Sequence, residues 1–268
     1  MPTHKVDPVE RWAAQLEGWA IPPEILAGAS EPPWGFDPAE FAVDASGPVD
    51  TASSAVEREV LPLDGSVLDV GSGGGRACLV LAPPAGLIRA VDESQAMLAL
   101  VEQTAEERGI AVATHQGRWP DVAGSVPPAD LVVCHHVVYN APDIAPFLVA
   151  LTDHARLAVV VELTSAHPMT GWRDAWRHFW GLERPPGPEA DELIAIVRQL
   201  GWSPETWRRR RSLGDLLFLD PERAVRSTRR RLCLPVERTD EVADYLRDHP
   251  LQWPSEVVTV RWPGPEHH

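Results

Sequence analysis

The most constraining feature of this chain is a short, mostly apolar run that breaks into glycines: Val67-Leu68-Asp69-Val70, then Gly71-Ser72-Gly73-Gly74-Gly75. Such a run reads as a buried strand, and the glycines as a turn in which backbone approaches a ligand closely. The pattern then recurs. Leu87–Val91 is a second strand closed by Asp92, and Ser94 caps a helix carrying Met97, Leu98 and Val101 that stops at Gly109. Ala111–His115, Leu131–Cys134 and Leu157–Leu163 read as further strands, with a helix over Asp143–Asp153. A helical stretch is also expected from the glycines through Val80, ended by Pro83-Pro84. Strands alternating with helices predict an α/β fold, a mostly parallel Rossmann-like sheet with helices on both faces.

The flanking segments add helices and two more strands, seven in all. Asp7-Pro8 with Glu10, and again Asp37-Pro38 with Glu40, are helix starts, and Ala52 to Val60 is a further helical run. They predict an N-terminal helical cap over residues 1–60, ahead of a core at 61–164. Trp172, Trp176 and Trp180 recur every four residues, marking 165–188 as a tryptophan-rich insertion or lid. Residues 189–268 return to the sheet, with a helix at Glu189–Leu200, strands at Trp202–Arg210 and Glu256–Trp262, and helical stretches at Pro221–Leu232 and Asp240–Asp248.

Composition narrows the partners. Acidic residues outnumber basic ones 39 to 24, a formal charge of −15, and such a surface repels phosphate backbones, so no nucleic-acid partner is expected. The runs Arg208–Arg211 and Arg229–Arg231 are expected to pair with the excess acids. No membrane partner is expected either, since no apolar run approaches the ~18 residues of a span. Three cysteines without paired spacing, and no leader-like N-terminus, fit a reduced, cytoplasmic setting.

The glycine turn discriminates between ligands. A nicotinamide fingerprint would place its third glycine at position 76, where Arg76 stands, and a phosphate-binding loop would end in lysine, which is absent there. Asp69-Val70-Gly71-Ser72-Gly73-Gly74-Gly75 instead resembles the acid-x-Gly-x-Gly-x-Gly motif of class I S-adenosylmethionine-dependent methyltransferases, and the resemblance runs from Ser66 to Leu163 through the order of strands. An ammonium and a sulfonium without phosphate suit the Asp69 carboxylate. The resemblance implies that Asp69, Gly71, Ser72, Gly73, Gly74 and Gly75 hold the methionine portion, and that Asp92, with Glu93 beside it, holds the ribose. Met97 and the backbone of Gly117-Arg118-Trp119 would meet the adenine, and Cys134 the amino group. Arg118 stands where the superfamily often has an acid, and cannot accept that hydrogen bond.

The acceptor side is expected where the fourth strand ends, at His135, His136 and Tyr139. One histidine is a candidate general base; the alternative is that both only bond backbone and the enzyme works by positioning. Adjacent histidines in extended chain point to opposite sides, and the aspartates of metal-dependent catechol-type enzymes are missing here, so no metal is expected. Asn140, Glu162, His167, Trp34 and Trp172 are candidates to line the acceptor pocket. The implied activity is direct in-line methyl transfer, without metal, to an oxygen or nitrogen of a small molecule. A non-catalytic S-adenosylmethionine-binding module and an NAD(P)-dependent oxidoreductase are the alternatives.

Overall fold

The computed structural model describes residues 6–34, 49–211 and 220–265. Its strands are β1 (Ser66–Val70), β2 (Leu87–Asp92), β3 (Val112–Gln116), β4 (Ala129–His135), β5 (Ala155–Thr164), β6 (Glu205–Arg210) and β7 (Glu256–Pro263). They form one sheet in the order β3-β2-β1-β4-β5-β7-β6. The first five are parallel, and β7 runs antiparallel between β5 and β6. The described helices are α1 (Pro8–Glu17), α2 (Pro23–Ala27), α3 (Ser54–Val60), α4 (Gln95–Arg108), α5 (Ile144–Asp153), α6 (Arg173–Trp180), α7 (Ala190–Gln199), α8 (Pro221–Arg231) and α9 (Thr239–Asp248).

The capping residues act as their chemistry requires. Asp7 accepts from the Val9 amide at 2.8 Å, Ser94 accepts from Met97, and Gly109 ends α4 in the left-handed region. The helix expected after the glycine turn does not form. From Gly73 the chain makes successive turns, with a single 3-10 turn at Leu79–Leu81. Glycine is the poorest helix former after proline, and the six residues from Arg76 to Leu81 are too few to propagate a helix before Pro83. The helix start at Asp37-Pro38 lies outside the described residues.

Alternation along the strands sends side chains into two layers. Leu68, Val70, Val132, Cys134, Val159 and Val161 pack on one side of the sheet with Trp12 of α1, Phe147 and Leu148 of α5, and Leu193 and Ile196 of α7. Val67, Ile88, Ala90, Leu131 and Val133 pack on the other with Leu98 and Val101 of α4 and with Leu79 and Leu81. A third cluster joins segments distant in sequence: Trp19, Ile21 and Ile25, then Met169, Trp172 and Trp176, then Leu232, Leu234, Val242 and Tyr245. Trp172, just before α6, and Trp176 within it are therefore core of a helical layer, with Trp180 packed partly buried against it.

Candidate active site

The parallel strands end together at one edge of the sheet, and the glycine turn closes over the tip of β1. Gly71, Gly73 and Gly75 all take positive φ. Gly71 shows why the side chain is missing: a Cβ there would lie 2.3 Å from Cγ2 of Val137 in the loop after β4. The two loops thus touch across the sheet edge. Asp92, at the tip of β2, accepts from the Gly73 amide and from the Ser94 amide, each at 2.9 Å. It pins the turn, while Ser94 caps α4, and each of its oxygens keeps a lone pair.

Inside the turn, polar groups wait for partners. Asp69 is fully buried, and apart from the weak thiol donor of Cys78 beside it its carboxylate oxygens have no hydrogen-bond partner. The neighbouring Cys78 thiol points to the Gly75 carbonyl, 3.7 Å away. Burial pushes the Asp69 carboxyl up to about 6, held back by the charge of His135. The buried Ser72 hydroxyl is also without a partner. Two such groups cost free energy unless a ligand completes them; an ammonium on Asp69 and a carboxylate on Ser72 would do so.

At the tips of β4 and β5 the histidines depart from the expected alternation. His136 takes φ 58°, in the left-handed region, because the strand ends at His135. Both rings reach one carboxylate oxygen: Oε1 of Glu162 lies 3.1 Å from Nε2 of His136 and 3.9 Å from Nδ1 of His135. His135 is buried and also meets Oε1 of Glu57 through Nε2 at 2.6 Å. Burial alone would lower its pKa, but Glu57, Glu162 and Asp69 override that and raise it to about 9. Glu162 lies well below the usual carboxylate range: burial would raise it, and His135, His136 and Ser53 reverse that effect. Its Oε2 accepts from the Ser53 amide at 3.1 Å and hydroxyl at 2.8 Å, and that hydroxyl meets Thr259 Oγ1 at 2.7 Å. His136, its side chain 44% exposed, opens the cluster to solvent.

The remaining candidates are distributed unevenly. Tyr139 is buried, and its hydroxyl accepts from the Thr164 amide at 2.5 Å and meets Thr164 Oγ1 at 2.6 Å. His167 is buried between Trp19, ring centroids 5.0 Å apart, and Tyr139; burial pushes it down to about 3, and its Nδ1 accepts from Met169. Trp172 is core, with its indole N–H on Thr228 Oγ1 at 2.9 Å. Trp119 turns its ring into the sheet layer against His154, so only its backbone remains at the edge. Arg118 spans that edge, 3.8 Å from Glu93 and 3.5 Å from the Asn140 carbonyl. Met97 and Cys134 are buried, Glu93, Asn140 and Trp34 exposed. Glu57 and Ser53 were not foreseen; the one signal was a glutamate on the same helical face as Ser53, Val56 and Val60.

Residues 67–156 match a family model described as a methyltransferase domain. Among solved structures, the chain is similar to a SAM-dependent methyltransferase from Geobacter sulfurreducens in complex with S-adenosyl-L-homocysteine, with 20% identity, 82% of this chain and 92% of that one covered, and a TM-score of 0.56. It is similar also to a cyclopropane-fatty-acyl-phospholipid synthase-like protein from Lactobacillus casei (16%, 84% and 97%, 0.54). A third is the magnesium protoporphyrin IX methyltransferase of Synechocystis with bound SAH (15%, 79% and 78%, 0.51). At these identities the likeness is one of fold. No curated protein matches the chain in sequence.

Proposed function

We propose that this chain, which carries a class I S-adenosylmethionine-dependent methyltransferase domain, methylates an oxygen or nitrogen of a small molecule with His136 as general base. The cofactor, when bound, supplies an electrophilic methyl group on a sulfonium. Unpartnered Asp69 and Ser72 fit its amino acid end, and Asp92 retains the lone pairs that two ribose hydroxyls need. The backbone of the Gly117-Arg118-Trp119 loop is assigned to the adenine edge.

The observation that carries the reading is the pairing of half-exposed His136 with buried Glu162. A carboxylate only accepts, so Nε2 of His136 donates to Oε1 of Glu162 and Nδ1 is left with a lone pair. That nitrogen takes the proton of the acceptor hydroxyl or amine as the acceptor atom bonds to the methyl carbon and the carbon–sulfur bond breaks. Glu162 then stabilises the imidazolium that forms. Arg118 and Asn140 are assigned to the mouth of the acceptor site, and Tyr139 and His167 to the wall behind it. The helical layer around Trp172 and Trp176, with the N-terminal segment through Trp34, is assigned as the lid. No metal takes part in this proposal: the proton goes to an imidazole and the developing charge is met by a carboxylate.

The test is release of S-adenosylhomocysteine from S-adenosylmethionine with a panel of small phenols, alcohols and amines. His136→Ala is expected to lower turnover about 10²–10⁴-fold while S-adenosylhomocysteine still binds. Turnover unchanged in that variant would remove His136 from the chemistry.

A further inference from the structure

Arg184 stands just beyond the C-terminal end of α6, and it is buried. Its Nη1 donates to the carbonyls of Gly18 and Ala20, at 3.1 and 2.8 Å, and its guanidinium lies over the ring of Trp176, 4.1 Å from the centroid. Nε and Nη2, on another edge of the same plane, are buried and have no partner. Nor has the indole N–H of Trp176, which is fully buried. Two side chains in contact thus hold buried donors without an acceptor at Nε, Nη2 and the indole nitrogen. A chain with a formal charge of −15 has carboxylates in excess, yet among the described residues none is set against this cation. The ionisable group that acts on it is the buried Cys233 thiol; burial pushes that thiol up against the pull of Arg184, so it stays neutral near neutral pH. A buried cation without a counter-charge is costly, and buried donors without acceptors add to the cost.

The Nε–Nη2 edge of a guanidinium presents two parallel N–H groups at the spacing of carboxylate oxygens. This chain uses that edge elsewhere for the same purpose. Arg177 takes both oxygens of Glu183 through Nε and Nη2, and Arg238 takes both of Glu241, at 2.6 and 2.7 Å. We propose that Arg184, lying over Trp176, binds the carboxylate of a small aromatic acid through this edge. One carboxylate balances one guanidinium, whereas a phosphate dianion would leave a buried excess charge. The cluster that holds Trp176, with Trp19, Met169 and Trp172, is apolar and aromatic and suits the body of such an acid. The carbonyls that Arg184 holds flank Trp19, whose ring stacks on His167 with centroids 5.0 Å apart. The site therefore adjoins the wall assigned to the methyl acceptor. Two sources share this chemistry, the acceptor itself and a separate acid. Binding of the carboxylate does not depend on the methyltransferase reading; its assignment to the acceptor does.

The experiment is titration calorimetry of the full chain with para-hydroxybenzoate, para-hydroxyphenylacetate and para-aminobenzoate, each against its neutral carboxamide, and with inorganic phosphate. An acid is expected to bind at least about tenfold more tightly than its amide, because hydrogen bonds between charged groups exceed those to neutral ones. Arg184→Lys keeps the charge and the donors for the Gly18 and Ala20 carbonyls but lacks the planar edge, and should weaken the acid about tenfold. Arg184→Gln should abolish the preference for acid over amide. Acids and amides that bind alike, or no acid that binds, overturn the proposal without any variant. So does an acid affinity unchanged in folded Arg184→Lys, or phosphate bound as tightly as the acids. With S-adenosylmethionine added, release of S-adenosylhomocysteine by a bound acid assigns the carboxylate to the acceptor. Binding without release assigns it to a separate acid, and both results sustain the site. Because the acid is titrated without cofactor, failure to bind it is distinct from failure of methyl transfer.

Discussion

Asp92 and His135 show how single side chains tie this fold to its site. Asp92 uses one lone pair on each oxygen to hold Gly73 and Ser94, and the others are the ones the proposed ribose contact would use. Asp92→Ala is therefore expected to weaken S-adenosylhomocysteine binding by at least about tenfold, since hydrogen bonds to a charged group are worth roughly 1.5–3 kcal/mol each; titration calorimetry measures it. His135 couples the site to stability. Its ordinary pKa is 6.5 and the fold holds it at about 9, so its contribution is complete below about pH 6.5 and disappears as pH rises through about 9. The unfolding temperature should fall across that window, by an amount equivalent to roughly 3 kcal/mol, and His135→Gln should flatten the fall. Asp92 was legible in the sequence because it closes a strand two residues before a helix cap. The left-handed turn at His136 was not: alternation is a property of extended chain, and nothing local marks the residue at which extension ends.

At the scale of elements, the glycine turn and the first helix meet the site from opposite directions. Gly71→Ala would place a methyl 2.3 Å from Val137 at a φ of 72°, so both packing and backbone oppose it. We expect a loss of roughly 1–3 kcal/mol in denaturant unfolding, together with weakened cofactor binding. Trp12 of α1 is fully buried, with its indole N–H on the Ala141 carbonyl at 3.0 Å, just beyond the histidine loop. Trp12→Ala should cost roughly 3–5 kcal/mol and lower turnover as well, because the loop carrying His136 loses its outer support. Helix ends at Asp7, Ser94 and Gly109 were readable from capping chemistry alone. Glu57 was hidden for the opposite reason, since its partner His135 stands 78 residues away and a single chain carries no mark of long-range pairs.

For the whole molecule, the sheet order β3-β2-β1-β4-β5-β7-β6 brings the tips of β1, β2, β4 and β5 side by side. The Asp69 turn, Asp92 and the two histidines then share one edge, where open α/β sheets bind ligands. Among the described residues no helix is long and apolar enough to cross a membrane. The alternation of strands and helices made this plan legible, while the helical layer built on Trp19, Trp172 and Tyr245 draws on three separate stretches of chain and shows only as scattered apolar residues. The central claim, that the sheet edge holds S-adenosylmethionine, is tested most directly by thermal unfolding with S-adenosylmethionine, S-adenosylhomocysteine, NAD and NADP in separate samples. Each sulfur nucleoside at a hundredfold excess over its dissociation constant should stabilise the protein by about 2.7 kcal/mol, with the effect lost in Asp92→Ala. Silence toward both, or stabilisation by NAD or NADP alone, would contradict the account.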